Sequence, residues 1–166
     1  MPDKKAVEAA RRDKREGKSP STQAGEFIRE EMHHIREGRH GARSTKQAIA
    51  IGLSEARRAG VDLPPPRSGK LPEKSRKSAQ RAYEEGQGIR DSTKRPRVAR
   101  AVREVLKHEP RRAASHEALS RQAHAAARKR THADRSASAR KAAETKGPAE
   151  RSAAAKKAAR TRARES

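Results

Sequence analysis

The clearest helix signal in this chain is residues 44–60, STKQAIAIGLSEARRAG. Ser44 followed three residues later by Gln47 is a capping box, in which the serine hydroxyl accepts the Gln47 amide and the glutamine reaches back. Apolar residues then recur at helical spacing. Two arginines suit the negative end of the helix dipole, and Gly60 suits a left-handed C-terminal cap. The pattern predicts a helix that starts after Ser44 and ends at Gly60.

A second helix is predicted just upstream. Large apolar residues recur at helical spacing as Phe27, Ile28, Met32 and Ile35, and the pattern stops at Gly38. Ser21 and Thr22 stand where an N-cap belongs. A short basic turn connects the two helices. Residues 21–63 are therefore predicted to form a helical hairpin, at the lower edge of independent stability.

The rest of the chain lacks the apolar residues for a large core. Of its 166 residues, 32 are Ala and only 19 are larger apolar residues. Burial of a large apolar side chain contributes about 1.5–3 kcal/mol, whereas ordering the backbone of one residue costs about 1–2 kcal/mol. This imbalance excludes a single compact domain. We expect an all-α fold with a small helical hairpin, isolated helices, and extensive disordered or conditionally helical basic segments.

Prolines, glycines and charge divide the chain into five segments. They are a charged N-terminal arm (1–20), the helical hairpin (21–63), a Pro/Gly-punctuated linker with a short helix (64–96), an amphipathic helix (97–110) and a basic Ala/Lys/Arg-rich tail (111–166). The amphipathic helix carries an apolar stripe over residues 98–106, formed by Val98, Val102, Val105 and Leu106. We expect this stripe to pack on the hairpin. Self-association, or docking of a protein partner, through the same face is the alternative.

Composition removes several classes of protein. The chain has no cysteine, which excludes disulfide scaffolds and Cys-based zinc sites. No apolar run approaches the roughly 18–20 residues of a membrane span, and residues 1–5 carry no apolar signal-peptide region. The sequence shows no Gly-rich phosphate loop and nothing that could wall off a catalytic pocket. We expect a cytoplasmic protein that is not an enzyme, has no catalytic or cofactor-binding residues and no cofactor, and binds neither a membrane nor a small-molecule substrate.

Positive charge is the strongest functional signal. The chain carries 43 Lys and Arg against 21 Asp and Glu, a formal net charge of +22. Residues 111–166 hold 16 of these basic residues and only 5 of the acidic ones. Such a polycation binds polyanions, and the basic segments lack the apolar face that inserts into lipid. Nucleic acid is therefore the expected partner, contacted through its phosphates.

The candidate phosphate contacts form two groups. The tail supplies Arg111, Arg112, Arg128, Lys129, Arg130, Arg140, Lys141, Lys156, Lys157, Arg160, Arg162 and Arg164. The hairpin supplies a second patch, which consists of Arg39, Arg43, Lys46, Arg57 and Arg58. The second hairpin helix carries Ala, Ile and Gly where base-reading side chains would be needed, so binding is expected to be nonspecific.

The tail also contains a low-complexity duplication. Residues 134–145 and 150–161 align at a period of 16, with eight of twelve positions identical. Ala, Lys and Arg are strong helix formers, but nothing apolar could dock such a helix. We expect phosphates to favour the helix by neutralising its charge.

Seven histidines raise the question of a metal site. His33, His34 and His40 lie near acidic residues, which are Glu30, Glu31 and Glu37. A tetrahedral site needs ligands held by packed neighbours, and the sequence shows none. Four histidines of the C-terminal half recur every eight residues, which places each about 80° from the last on a helix. We therefore expect no metal-binding residues.

Residues 46–60, KQAIAIGLSEARRAG, resemble a helix of a family of small basic bacterial proteins of unknown function. Residues 26–38 and 41–44 fit the same pattern, so the resemblance covers about residues 19–66. It implies a bacterial source and supplies no reaction or catalytic residue. The Ala/Lys/Arg-rich tail is similar to the tails of bacterial histone-like proteins and linker histones.

The sequence thus predicts a nonspecific DNA-binding, nucleoid-associated protein of histone-like type. An RNA- or ribosome-associated basic protein is the alternative within the same chemistry. Aromatic platforms for single-stranded bases are nearly absent, which favours a duplex. A different alternative is a protein-interaction module, in which the hairpin binds a partner and the tail is an electrostatic tether.

Overall fold

The computed structural model describes residues 3–67, 69, 72–91 and 96–165. Within these residues the chain is all-α, which confirms the predicted fold class. The elements are α1 (Lys4–Arg15), α2 (Pro20–Arg36), α3 (Thr45–Arg58), α4 (Glu73–Gly86), α5 (Pro96–Lys107), a 3₁₀ turn (Arg111–Ala114), α6 (His116–Arg128) and α7 (His132–Glu165). They form two compact units, Met1–Gln122 and Ala123–Ser166.

The first unit is larger than the predicted hairpin. The hairpin is present as α2 packed on α3, and it is the centre of the unit. In addition, α1 packs on α2, α4 packs on α3, and the 3₁₀ turn lies against both hairpin helices. Segments expected to be an arm and a linker therefore contribute helices to one compact unit.

A serine and a proline set the start of α2. The helix begins at Pro20, and the Oγ of Ser19 accepts the backbone N–H of Thr22 at 3.4 Å. The expected N-cap at Ser21 or Thr22 is therefore wrong. Proline has no N–H to lose at the first helical position and its φ already suits the helix, so the cap falls on the residue before it.

The α3 helix has the predicted cap. Ser44 Oγ accepts the Gln47 N–H at 3.2 Å. The reciprocal bond differs from the expected one, because Gln47 Oε1 accepts the backbone N–H of Arg43 at 2.9 Å. After the C-terminal end of α3, Gly60 has a φ of 85°, as its predicted role in a left-handed cap requires.

A glycine allows α2 and α3 to pack closely. A Cβ at Gly52 would lie 2.8 Å from the Ile28 Cα and 3.1 Å from the Phe27 carbonyl oxygen. Any larger residue would push the helices apart. The aromatic ring of Phe27 is buried beside this contact with the small side chains of Ala24 and Ala56.

The N-terminal helix α1 contributes to the same core. Ala6 and Ala10 are each 4% exposed and belong to the cluster around Phe27. The Oδ1 of Asp3 caps the helix by accepting the N–H of Lys5 at 2.8 Å. Small alanines let a mostly charged segment pack on α2, although the sequence predicts only a charged arm there.

The segment from the end of α5 through the 3₁₀ turn, residues 106–114, covers the loop between α2 and α3. Gly41 N–H donates to the Leu106 carbonyl at 2.8 Å, and the buried Thr45 Oγ1 donates to the Ala113 carbonyl at 2.7 Å. A Cβ at Gly41 would overlap the Glu109 carbonyl oxygen. This loop and its cover are therefore joined backbone to backbone.

Two alanines of the 3₁₀ turn complete a second core cluster. Ala113 and Ala114 are 4% and 0% exposed, and they pack with Met32, Ile35 and Ala48. The first residues of the predicted basic tail are thus part of the first unit.

The apolar face of α5 is exposed to solvent. Val98, Val102 and Val105 are 57%, 53% and 62% exposed. The expectation that this stripe packs on the hairpin is wrong, because the backbone bond from Gly41 to Leu106 holds only the last turn of α5. Self-association through residues 98–106 stays a prediction.

The tail is helical in the structure. The helix α7 is interrupted at Gly147, where φ is 64° and ψ is 169°, just before Pro148. We call the two parts, residues 132–146 and 148–165, the tail arms. None of the α7 side chains that the structure describes is buried. The predicted disorder is not supported here, because the strong helix propensity of Ala, Lys and Arg is expressed without packing.

Candidate nucleic-acid interface

Basic side chains surround each tail arm. In the first arm, Arg135, Arg140 and Lys141 are spaced by about 140°, 100° and 120° around the helix axis. The second arm repeats this spacing with Arg151, Lys156 and Lys157, because one copy of the duplication lies on each arm. All six side chains are exposed. Neither arm therefore has a single basic face.

Every predicted contact residue from position 128 onward is exposed, and these residues are Arg128, Lys129, Arg130, Arg140, Lys141, Lys156, Lys157, Arg160, Arg162 and Arg164. Arg130 also stabilises the start of α7, because it donates to the Asp134 carbonyl at 3.1 Å and to the Ser138 hydroxyl. Alanine and serine separate the basic residues, so a phosphate can approach the helix closely.

A second basic surface lies on the first unit, beside the start of α6. Arg36, Arg111 and Arg112 line an open depression of ≈ 460 Å³, which we call the arginine depression. Arg36 Nε donates to the Ala114 carbonyl at 2.8 Å. That bond orients the guanidinium and uses only one of its five donors. The depression is also lined by Ala114, Ser115, His116 and Glu117.

The structure brings together Arg111 and Arg112, as their adjacency in the sequence requires, and adds Arg36, which no sequence pattern predicts. Arg36 bonds to a residue 78 positions away. No local pattern signals such a contact, although a basic residue in the last turn of a helix is itself unremarkable.

The five basic residues predicted for the hairpin patch have different surroundings. Arg43 and Lys46 are exposed near the start of α3. Arg39 and Arg58 are also exposed, but each pairs with a glutamate carboxylate, at 3.0 Å and 3.3 Å. Their charge is therefore partly neutralised within the protein, which weakens the patch as a phosphate site.

The prediction that Arg57 contacts phosphate is wrong. The residue is 6% exposed, and its guanidinium donates to the Leu63 carbonyl at 2.9 Å and to the Leu53 carbonyl at 3.5 Å. Burial lowers the pKa of Arg57. Its role is to fix the chain that leaves α3.

A cluster of acidic and histidine side chains lies between α2 and the loop that follows it. We call Glu31, His34 and His40 the acid–histidine cluster, since their donor atoms lie within 4.8 Å of one another. The Glu31 side chain is 1% exposed, and its Oε2 is 3.6 Å from the His40 Nε2. Glu31 Oε1 and His34 Nε2 are buried without a hydrogen-bond partner.

Burial has a large electrostatic effect on this cluster. It raises the pKa of Glu31 from 4.5 to about 7, while His40 acts in the opposite direction and Glu55 adds to the rise. Burial also raises the pKa of Glu55. A buried carboxylate with an unpartnered oxygen costs stability. Packing of the hydrophobic core therefore does not explain why a carboxylate is buried at Glu31.

Comparison with known proteins gives one match. Residues 15–67, which include α2, its loop and α3, match the model of a family described as a family of unknown function (DUF6496). The acid–histidine cluster lies within the matched residues, whereas Arg111, Arg112 and the tail arms lie outside them. None of the curated proteins and none of the solved structures matches the chain. Among the residues that the structure describes, no helix is long and apolar enough to cross a membrane.

Proposed function

We propose that this protein binds duplex DNA without sequence specificity, in the bacterial nucleoid, through phosphate contacts of the tail arms and the arginine depression. The observation that carries the proposal is the placement of basic side chains on all sides of both arms. A formal net charge of +22 supplies the attraction, and the arms supply a shape that fits a groove.

The shape argument rests on the two walls of the major groove. The groove is about 12 Å wide and accepts an α-helix, with phosphates of one strand on each side. A helix with one basic face would neutralise a single strand, whereas an arm with basic residues all round reaches both. Alanine and serine between the basic residues keep the arm narrow.

The composition of the arms favours nonspecific binding. Residues 132–165 contain no Asn and no Gln, which are the side chains that read adenine by a bidentate hydrogen bond. Arginine and lysine remain. They can also contact guanine, but their contacts with phosphates position a protein without selecting a sequence.

The same geometry favours DNA over duplex RNA. The major groove of A-form RNA is deep and narrow, and side chains cannot read it. A helix with basic residues on all sides therefore cannot contact the phosphates of both strands from within that groove. The RNA alternative therefore depends on single-stranded or irregular RNA, for which the chain offers few aromatic platforms.

The protein-interaction alternative is supported by one separate observation, the exposed stripe of Val98, Val102 and Val105 on α5. This face is compatible with DNA binding, since it belongs to the first unit and uses none of the basic side chains of the tail arms, which belong to the second. Its occupant would add to the proposed function and would not replace it.

Competition binding tests the proposal. Full-length protein is bound to a short labelled DNA duplex, and fluorescence anisotropy follows displacement by unlabelled duplexes of unrelated sequence and by tRNA. We expect every duplex to compete equally and tRNA to compete poorly. Equal or better competition by tRNA would move the function to RNA. Failure to bind the duplex near physiological salt would refute the DNA function.

A further inference from the structure

The acid–histidine cluster has the donor set of a metal site, a property separate from DNA binding. We propose that Glu31, His34 and His40 bind one Zn²⁺ ion. The sequence predicts no metal-binding residues because it does not show which neighbours are packed around the histidines. The fold supplies that packing.

The backbone brings the three donors together by simple means. Glu31 and His34 are three residues apart on α2 and therefore share one face of the helix. The chain then turns at Gly38, whose φ of 80° reverses its direction, and returns His40 to the same face. The donor atoms lie within 4.8 Å of one another. Tetrahedral zinc ligands at about 2.0–2.2 Å from the ion are separated by about 3.4 Å, so side-chain movements that shorten the donor separations by up to about 1.4 Å complete the site.

The ring of His40 is already oriented as a ligand. Its Nδ1 is 3.1 Å from the Gly41 carbonyl oxygen, so it donates its proton there. In the neutral imidazole the Nε2 that faces Glu31 then carries the lone pair that a metal needs. Gly41 is itself held by the backbone bond to Leu106. The backbone that supports this ligand is therefore bonded to the end of α5.

The unpartnered atoms of the cluster point to a cation. Glu31 Oε1 is buried without a hydrogen-bond partner. His34 Nε2 makes no hydrogen bond either, although carboxylates lie near it, and a metal ion at the cluster would bind both atoms. Two further carboxylates stand close to His34 Nε2, with Glu30 Oε1 at 3.3 Å and Asp3 Oδ2 at 3.6 Å. They supply negative charge and a candidate for the fourth ligand.

Zinc fits this donor set best. Two imidazoles and one carboxylate are a recurrent three-residue zinc ligand set, with a fourth position left for another ligand. Oxygen-only cations such as Mg²⁺ and Ca²⁺ do not favour two imidazoles. A bound ion would also tie the N-terminal end of α1, through Asp3, to α2 and its loop.

The test uses untagged full-length protein titrated with ZnCl₂ by calorimetry, and with CoCl₂ for its visible absorption. The variants are His34→Gln, His40→Gln and Glu31→Gln. The matched control is His33→Gln, because His33 neighbours the cluster on α2 but is exposed and pairs with Glu37 at 2.9 Å. We expect one ion per chain for wild type and control, and affinity weaker by at least about 100-fold in the His34 and His40 variants.

A thermal readout separates a metal ligand from a structural residue. Glu31→Gln removes a buried charge without changing shape, so the zinc-free variant should melt at or above the wild-type temperature. It should then gain nothing from zinc, whereas wild type and His33→Gln gain stability. The proposal would be overturned if the His34 and His40 variants bound zinc as tightly as wild type, if the His33→Gln control lost as much affinity as they do, or if wild type bound no zinc. The cluster would then be a buried Glu31–His40 ion pair.

Discussion

Replacing Arg111 and Arg112 with serine tests whether placed guanidinium groups, and not net charge alone, bind DNA. Both side chains are exposed in the arginine depression, while the buried alanines that follow them hold the turn in place. Each phosphate contact contributes about 0.9 to the slope of log affinity against log salt. Loss of two contacts makes the slope shallower by about 1.8, so a fourfold rise in salt weakens the variant about twelvefold less than wild type.

The assay is anisotropy of a labelled duplex across a salt series, with the full-length protein. The control is Arg29→Ser combined with Arg76→Ser, which removes the same charge from arginines that already pair with Glu26 and Glu73. We expect the slope of the control to stay within about 0.5 of the wild-type slope. Equal changes in the two double variants would refute the reasoning, because net charge would then explain binding.

Other predictions concern the fold that positions these surfaces. Thr45→Val leaves the buried Ala113 carbonyl without its donor, and we expect the free energy of unfolding in urea to fall by about 1–3 kcal/mol. An unchanged urea midpoint would contradict the conclusion that this bond holds the α2–α3 loop to its cover. Gly52→Ala inserts a methyl group between α2 and α3 and should cost about 1–3 kcal/mol, whereas the control Gly25→Ala, where a Cβ has nothing within 4 Å, should stabilise by about 0.4–1 kcal/mol. The three exposed valines of α5 are Val98, Val102 and Val105, and replacing all three with serine should change the free energy of unfolding by less than about 0.5 kcal/mol. Sedimentation then shows whether the replacement abolishes self-association. A large loss of stability would mean that this face is packed.

The helices could be predicted from the sequence because their signals are local. The cap at Ser44 and the left-handed Gly60 depend on bonds within a few residues, and the structure has both. Each predicted helix of the first unit has a counterpart, from α2 to α5. The start of α2 was displaced because Pro20 outweighs the hydroxyl residues beside it.

Tertiary packing could not be predicted because it depends on small residues and distant backbone. The helix α1 enters the core through alanines, which carry little hydrophobic signal in a chain with 32 of them. The cover of the α2–α3 loop depends on the bond from Thr45 to Ala113, across 68 positions. The exposure of the α5 stripe could not be predicted either, because amphipathic periodicity does not indicate what a helix face packs against.

The candidate site divides in the same way. The exposed basic residues of the tail arms follow from composition and need no tertiary contact. The burial of Arg57 and the recruitment of Arg36 to the arginine depression depend on where α3 and the 3₁₀ turn lie. The acid–histidine cluster had a local signal in the spacing of Glu31 and His34, but the burial of Glu31 that gives it meaning came from the fold.

The salt dependence of DNA binding tests the central claim most directly. Full-length protein is compared with a variant in which four tail residues become glutamine, namely Arg140, Lys156, Lys157 and Arg160. At about 0.9 per contact, we predict a wild-type slope of about −5 or steeper and a variant slope shallower by about 3.6, on duplexes of any sequence. A wild-type slope of about −2 or shallower, or a variant slope equal to that of wild type, would contradict phosphate binding by the tail arms.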